Sequence, residues 1–240
     1  MSPVAAAHPI SAHPPAAYTP LRLLQRHSRT RAEVSLVSTP HGPAVLKDFA
    51  PCNALFRFFF APGFVRREAR AYRALGEACP TKPWRSGVPG IPRLLGRPTE
   101  TSLLVQYIAG HRPSRAPHGL LRPDFFDRLT ATVHAVHARG WVLIDLRDAN
   151  LLVDETGAPW LIDLTTASLL VAHPWLRWWV GRFLVEDRRA IALLKQRLLP
   201  AALTPADRAL IAHADWYTKT DRALGALLRP LFEGLFGWVR

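Results

Sequence analysis

The stretch Ile144-Asp145-Leu146-Arg147-Asp148-Ala149-Asn150-Leu151-Leu152-Val153, followed after a short turn by Leu161-Ile162-Asp163-Leu164-Thr165, decides how this chain is read. Asp145, Asn150 and Asp163 interrupt what would otherwise be apolar strands. Burying a polar group without a partner is costly, so three of them in such surroundings need a reason. Phosphoryl transfer from a metal-nucleotide supplies one. A carboxylate (Asp145) receives a hydroxyl proton, while an amide oxygen (Asn150) and a second carboxylate (Asp163) hold a hard Mg²⁺ ion. Each residue alone has a plainer reading: a turn aspartate after a strand, a turn asparagine, and a helix N-cap or turn residue. The order and spacing of all three favour the chemical one.

Upstream, Lys47 ends the apolar run Ala44-Val45-Leu46-Lys47. A lysine there calls for an anionic partner. Glu68, in a helix predicted over Phe64 to Leu75 and stopped by Gly76, fits that need. A Lys–Glu pair can aim the ammonium at nucleotide phosphates. The plainer alternative is an edge-strand lysine and a solvated helix glutamate. His134 and His137 lie three apart on one helix, but no third ligand accompanies them, so they read as structural.

Around these residues the pattern predicts strands at Leu21 to Gln25, Glu33 to Val37 and Ala44 to Phe49, the last two joined by the turn Ser38-Thr39-Pro40-His41-Gly42-Pro43. Pro80 to Pro98 reads as a connector, Leu103 to Tyr107 as a strand and Gly110 to Pro117 as a loop. Pro123-Asp124 opens a helix that runs through Phe125, Phe126, Leu129, Val133 and Val136 and closes at Gly140. Trp141 to Leu146, Leu151 to Asp154 and Pro159 to Asp163 are strand-like. From Ala172 onward the chain reads helical, broken near Pro200, Pro205 and Pro230. The expectation is a flexible tail over 1–20, then one catalytic domain made of a strand-rich part, 21–107, and a mostly helical part, 108–240.

The 240 residues are 49% hydrophobic, which excludes a disordered chain. The two cysteines, Cys52 and Cys79, are no disulfide framework and point to a reducing, cytoplasmic compartment. The Ala/Pro/His-rich start lacks the pattern of a signal peptide, and no run is long and uncharged enough for a membrane span. Net charge is +13 with arginine far outnumbering lysine, which favours anionic partners or reflects an arginine-rich proteome. Asn53 to Val65, His173 to Val185 and Leu227 to Arg240 mix aromatics with arginine and little acid. Such segments suit either core packing or peripheral contact with an anionic membrane surface. The arginines are dispersed and no nucleic-acid recognition motif is present, so nucleic acid is not the expected partner.

Taken in order, Val45-Leu46-Lys47, Arg66-Arg67-Glu68-Ala69, Leu104-Val105-Gln106-Tyr107-Ile108-Ala109-Gly110, Val136-His137-Ala138-Arg139-Gly140-Trp141, Asp145-Leu146-Arg147-Asp148-Ala149-Asn150 and Leu161-Ile162-Asp163 resemble the protein-kinase-like superfamily. Within it, the chain resembles the bacterial lipopolysaccharide (Kdo/heptose) kinases and compact RIO-type kinases. The resemblance implies a two-lobed α+β fold, with a small antiparallel-sheet lobe carrying one helix and a mostly helical lobe. It implies ATP and Mg²⁺, with Lys47 on the phosphates and Glu68 as its partner. It gives Asp145 as the catalytic carboxylate, Asn150 and Asp163 as metal ligands, and the backbone of Gln106, Tyr107 and Ile108 as the adenine site. Arg147 stands where related kinases often carry a phosphate-stabilising lysine; a solvated loop arginine is the alternative.

Departures from the family are plain. Leu143 replaces the histidine before the catalytic aspartate, Leu164-Thr165 replaces Phe-Gly, no Ala-Pro-Glu follows, and 77 residues follow Asp163. No Gly-rich loop is present; Arg26-His27-Ser28-Arg29-Thr30 takes its place, where Ser28 and Arg29 offer donors to phosphate. The expected activity is transfer of the ATP γ-phosphoryl to a hydroxyl of a lipopolysaccharide-core or other envelope glycolipid sugar. The alternatives are a compact Ser/Thr protein kinase and a non-catalytic pseudokinase scaffold.

Overall fold

A computed structural model of the chain describes residues 18–76, 87–169 and 177–212, with the side chains of 177–182 outside that description. The chain divides into two compact units, Met1–Ala109 and Gly110–Arg240. The break falls two residues past the expected 107/108 boundary. Both units mix strand and helix, so the class is α+β.

In the first unit, β1 (Thr19–Gln25), β2 (Glu33–Thr39), β3 (Gly42–Asp48), β4 (Leu94–Gly96) and β5 (Ser102–Gln106) form one antiparallel sheet of order β1-β2-β3-β5-β4. The β2–β3 hairpin forms where the turn residues predict it. Gly42 adopts φ +104°, and Thr39 Oγ1 donates to the Gly42 carbonyl at 2.7 Å. Two helices accompany the sheet, not the one expected: α1 (Ala54–Phe59) and α2 (Ala61–Gly76). Asn53 caps α1 by accepting from the Phe56 N–H at 2.7 Å. Helix α2 starts three residues before the expected Phe64. Its buried stripe includes Val65, Glu68, Ala69, Tyr72 and Leu75, the spacing of one helical face, and it packs against β4 and β5. A Cβ on Gly76 would run into the Pro92 carbonyl, so glycine lets the helix end against that strand-leading segment.

Two further readings need correction. The connector over Pro80 to Pro98 contains β4, hidden because three residues between prolines carry no period. Thr19 and Pro20, read as tail, begin β1, where proline is tolerated because β1 is an edge strand. Residues 1–17 lie outside the described residues.

The second unit opens with a 3-10 turn at Pro113–Arg115, then α3 (Pro123–Ala138), β6 (Trp141–Val142), β7 (Leu151–Val153), β8 (Pro159–Leu161), β9 (Ser168–Leu169), α4 (Arg177–Leu198) and α5 (Pro205–Ala212). Helix α3 buries Phe125, Phe126, Leu129, Val133 and Val136 and ends before Gly140, whose φ is +77°. The strand read over Trp141 to Leu146 stops at Val142, where it pairs with β9. Strands β7 and β8 form a hairpin around Asp154–Ala158, with Gly157 at φ +79°. Thr204 and Asp207 cap α5 reciprocally, with the Thr204 N–H donating to Asp207 Oδ2 at 2.9 Å and the Asp207 N–H donating to Thr204 Oγ1 at 3.2 Å. Leu227 to Arg240 lies outside the described residues, and in His173 to Val185 side chains are described only from residue 183. No helix among the described residues is long and apolar enough to cross a membrane.

Candidate functional site

Lys47 lies on β3, which is interior to the sheet: it faces Val34 of β2 and Leu103 of β5. The edge-strand alternative is therefore overturned, as is the solvated glutamate. Lys47 Nζ donates to Glu68 Oε1 at 2.7 Å, and the two side chains are 13% and 1% exposed. Strand alternation explains the geometry. Ala44 and Leu46 join Val37 and Leu104 in a core cluster, which leaves Lys47 on the opposite face. A charge pair this dry persists only because each partner satisfies the other.

Gln106 closes β5, and its N–H donates to the Arg93 carbonyl at 2.9 Å while its side-chain Oε1 accepts from the Arg93 N–H at 3.2 Å. Tyr107 and Ile108 follow the last strand pair, with Ile108 buried. Ser28 is tied into its own turn: its N–H donates to the Arg31 carbonyl at 3.1 Å, and its Oγ accepts from the Arg31 N–H at 3.2 Å. The Arg29 carbonyl accepts from the Asn53 N–H, which anchors this exposed loop to the start of α1.

In the second unit, the β7–β8 hairpin explains the spacing of the opening motif. Asn150 precedes β7 and Asp163 follows β8, so pairing of Leu151 with Leu161 brings the two to the same end, and the Ile162 N–H donates to the Asn150 carbonyl at 3.0 Å. Asn150 Nδ2 donates to the Asp145 carbonyl at 2.9 Å and to Asp145 Oδ2 at 3.1 Å. The asparagine thus closes the loop onto the aspartate, and Oδ1 remains its acceptor for a cation. Asp163 Oδ1 accepts from Thr165 N–H at 3.0 Å and from Thr165 Oγ1 at 2.6 Å, so the residue two positions on orients this carboxylate. Leu164 is fully buried and anchors the turn. Arg147 Nε lies 3.1 Å from Asp145 Oδ2, with the arginine exposed and the aspartate half-buried. The arginine thus touches the carboxylate itself.

The backbone before Asp145 is strained. Ile144 has φ +67°, the only non-glycine residue so placed among those described, and the Asp145 N–H donates to the Leu143 carbonyl at 2.8 Å across it. A β-branched residue in this conformation costs on the order of 1–3 kcal/mol. Asp187 on α4 holds the strained segment. Its Oδ2 accepts from the Leu143 N–H at 3.0 Å and its Oδ1 from the Ile144 N–H at 3.1 Å, while His137 Nε2 lies 2.8 Å from Oδ2. His137 therefore has a structural partner, and no cluster of three or more His, Cys, Asp or Glu suited to a metal occurs among the described residues.

Asp187 escaped the sequence reading. The signal was present: Asp187, Ile191 and Leu194 are buried at helical spacing, so a carboxylate sits in an apolar stripe. A Mg²⁺ ion fits what is there. Asn150 and Asp163 supply oxygen donors at one end of a hairpin, and Mg²⁺ usually takes one or two carboxylates and completes its shell with water and phosphate. No family model matches the chain, and no curated protein matches it in sequence.

Proposed function

We propose that this protein is an ATP-dependent phosphotransferase of kinase-like, two-lobed architecture that moves the γ-phosphoryl to a hydroxyl acceptor. The observation that carries the reading is the closed Asp145–Asn150 loop, in which the amide nitrogen is turned onto Asp145 and the amide oxygen is left for a cation. Asp145 accepts the proton of the acceptor hydroxyl and orients its oxygen. Lys47, held by Glu68, neutralises nucleotide phosphate charge. Tyr107 and Ile108 offer backbone groups to adenine, since the Gln106 N–H is already given to Arg93. Asn150 and Asp163 would hold Mg²⁺, which when bound would supply charge neutralisation on the transferred group. Ser28 and Arg29 contribute donors to the phosphates at most from an exposed turn, and Arg147 stabilises phosphate only after releasing Asp145.

The acceptor is a sugar of the lipopolysaccharide core or a similar envelope glycolipid. The resemblance supports this, as does an aromatic, arginine-rich surface on the first unit. The Arg147–Asp145 contact favours a second reading, a pseudokinase whose carboxylate is capped.

Transfer of labelled phosphate from ATP to a panel of envelope glycolipids and proteins separates these readings. The expected outcome is labelled glycolipid, abolished by Asp145→Asn and retained in Arg147→Ala. Label in protein alone identifies a protein kinase. No transfer by either the parent or Arg147→Ala, together with no thermal shift on adding Mg-ATP, identifies the scaffold.

A further inference from the structure

Helix α1 has no buried residue, yet four of its six residues, Ala-Leu-Phe-Arg-Phe-Phe, are large and apolar. Leu55, Phe58 and Phe59 lie at positions i, i+3 and i+4, so they share one face, and they are 56%, 69% and 76% exposed. The exposure is not the result of a loose segment. Phe56 projects the other way and packs with Phe49, Phe60 and Phe64 at ring separations of 5.9, 5.8 and 5.8 Å. Asn53 caps the helix, and Arg57 Nη1 donates to the Ala50 carbonyl at 3.2 Å while its guanidinium lies 5.0 Å from the Phe58 ring. Three rigidly presented apolar side chains on a helix roughly 9 Å long form a protrusion, not a groove.

The charge around the protrusion is one-sided. No acidic residue occurs from Phe49 to Arg67, while Arg57, Arg66 and Arg67 do. Of the carboxylates next to this stretch, Asp48 accepts from the Ala50 N–H, Glu68 is buried against Lys47, and Glu100 pairs with Arg66 and Arg97. Aromatic and aliphatic side chains backed by arginine suit the boundary between headgroups and acyl chains of a bilayer carrying anionic lipid. A protein partner of ordinary size covers about 800 Å² on each side, more than three side chains supply.

We propose that α1 is a membrane-docking element that inserts Leu55, Phe58 and Phe59 into the surface of an anionic bilayer, with the flanking arginines over the headgroups. The proposal stands independently of phosphotransfer, because it is read without nucleotide. The full chain would be floated with vesicles of phosphatidylcholine alone and of phosphatidylcholine mixed with phosphatidylglycerol. Binding is expected to the mixed vesicles, to weaken as salt rises, and to fall about tenfold or more in Phe58→Ser/Phe59→Ser, which removes two rings from the boundary. Phe59→Ser alone, at the most exposed position, should give an intermediate loss with an unchanged melting temperature. Equal binding of parent and both variants, indifference to the anionic lipid, or a dimer in sedimentation that the substitutions dissociate would each overturn the proposal, the last in favour of a second copy of this chain.

Discussion

Helix α2 carries Glu68 and helix α4 carries Asp187, two carboxylates exposed by 1% and 2% and satisfied by different means. Glu68 meets a lysine ammonium across a sheet face. Asp187 meets two backbone N–H groups and a histidine ring, and through them holds the turn that presents Asp145. The first is a charge pair whose geometry depends on two packed elements. The second is a brace on a strained backbone, so removing it releases the strain of Ile144 as well as leaving donors unpaired. The two units thus stabilise their candidate residues by side-chain pairing in one case and by backbone capture in the other.

The comparison is open to test, beginning with the largest effect. Asp187→Ala should lower the unfolding free energy of the protein by about 3–5 kcal/mol, because buried donors and a buried histidine lose their acceptor. Denaturant titration measures it, and a loss under about 1 kcal/mol would break the bracing argument. Glu68→Gln should cost less, about 2–3 kcal/mol, since the amide retains an acceptor for Lys47. The pair Lys47→Met/Glu68→Leu should recover most of that loss while abolishing the proposed phosphotransfer, because apolar side chains of similar size fill the same space. A double substitution no more stable than the single one would show that apolar packing does not replace the Lys47–Glu68 pair there.

Asp154 gives the smallest effect and sharpens the contrast, since it too is a carboxylate held by donors but nearer to solvent. Burial pushes its carboxyl up, yet hydrogen bonds from Trp160, Thr156 and Ala158 outweigh this and hold the group below its ordinary value. A carboxylate lowered by folding contributes stability that is present above the unfolded value of about 3.9 and lost as pH falls through the folded one. Asp154→Asn should therefore cost about 1–2 kcal/mol at neutral pH. The gap should close on acidification below about pH 4. A gap that stays constant with pH would show that the β7–β8 turn does not depend on the charge.

Glu68 was legible because its partner is conspicuous: a lysine inside an apolar run demands an anion, and a nearby amphipathic helix offers one. Asp187 was not, because backbone N–H groups belong to every residue and leave no mark in composition. Helix α1, inside the aromatic stretch Asn53 to Val65, was not legible, since six residues are too short to show a helical period. Strand β4 was missed for the same reason. Asn150 and Asp163 were legible as a pair by spacing alone, because the residues between them match two strands and a Gly-containing turn.

By itself the sequence determined most of the local elements, the β2–β3 and β7–β8 turns, and Glu68 as the partner of Lys47, while the roles proposed for Asp145, Asn150 and Asp163 rest on their spacing. These follow from side-chain period and turn chemistry, which act over a few residues. Only the tertiary structure decided that β3 is an interior strand, that Ile144 is strained, that Asp187 braces it, and that Phe58 and Phe59 face solvent. Each of those depends on which distant groups share one space, and burial, pairing and strain are properties of that neighbourhood and not of the residue.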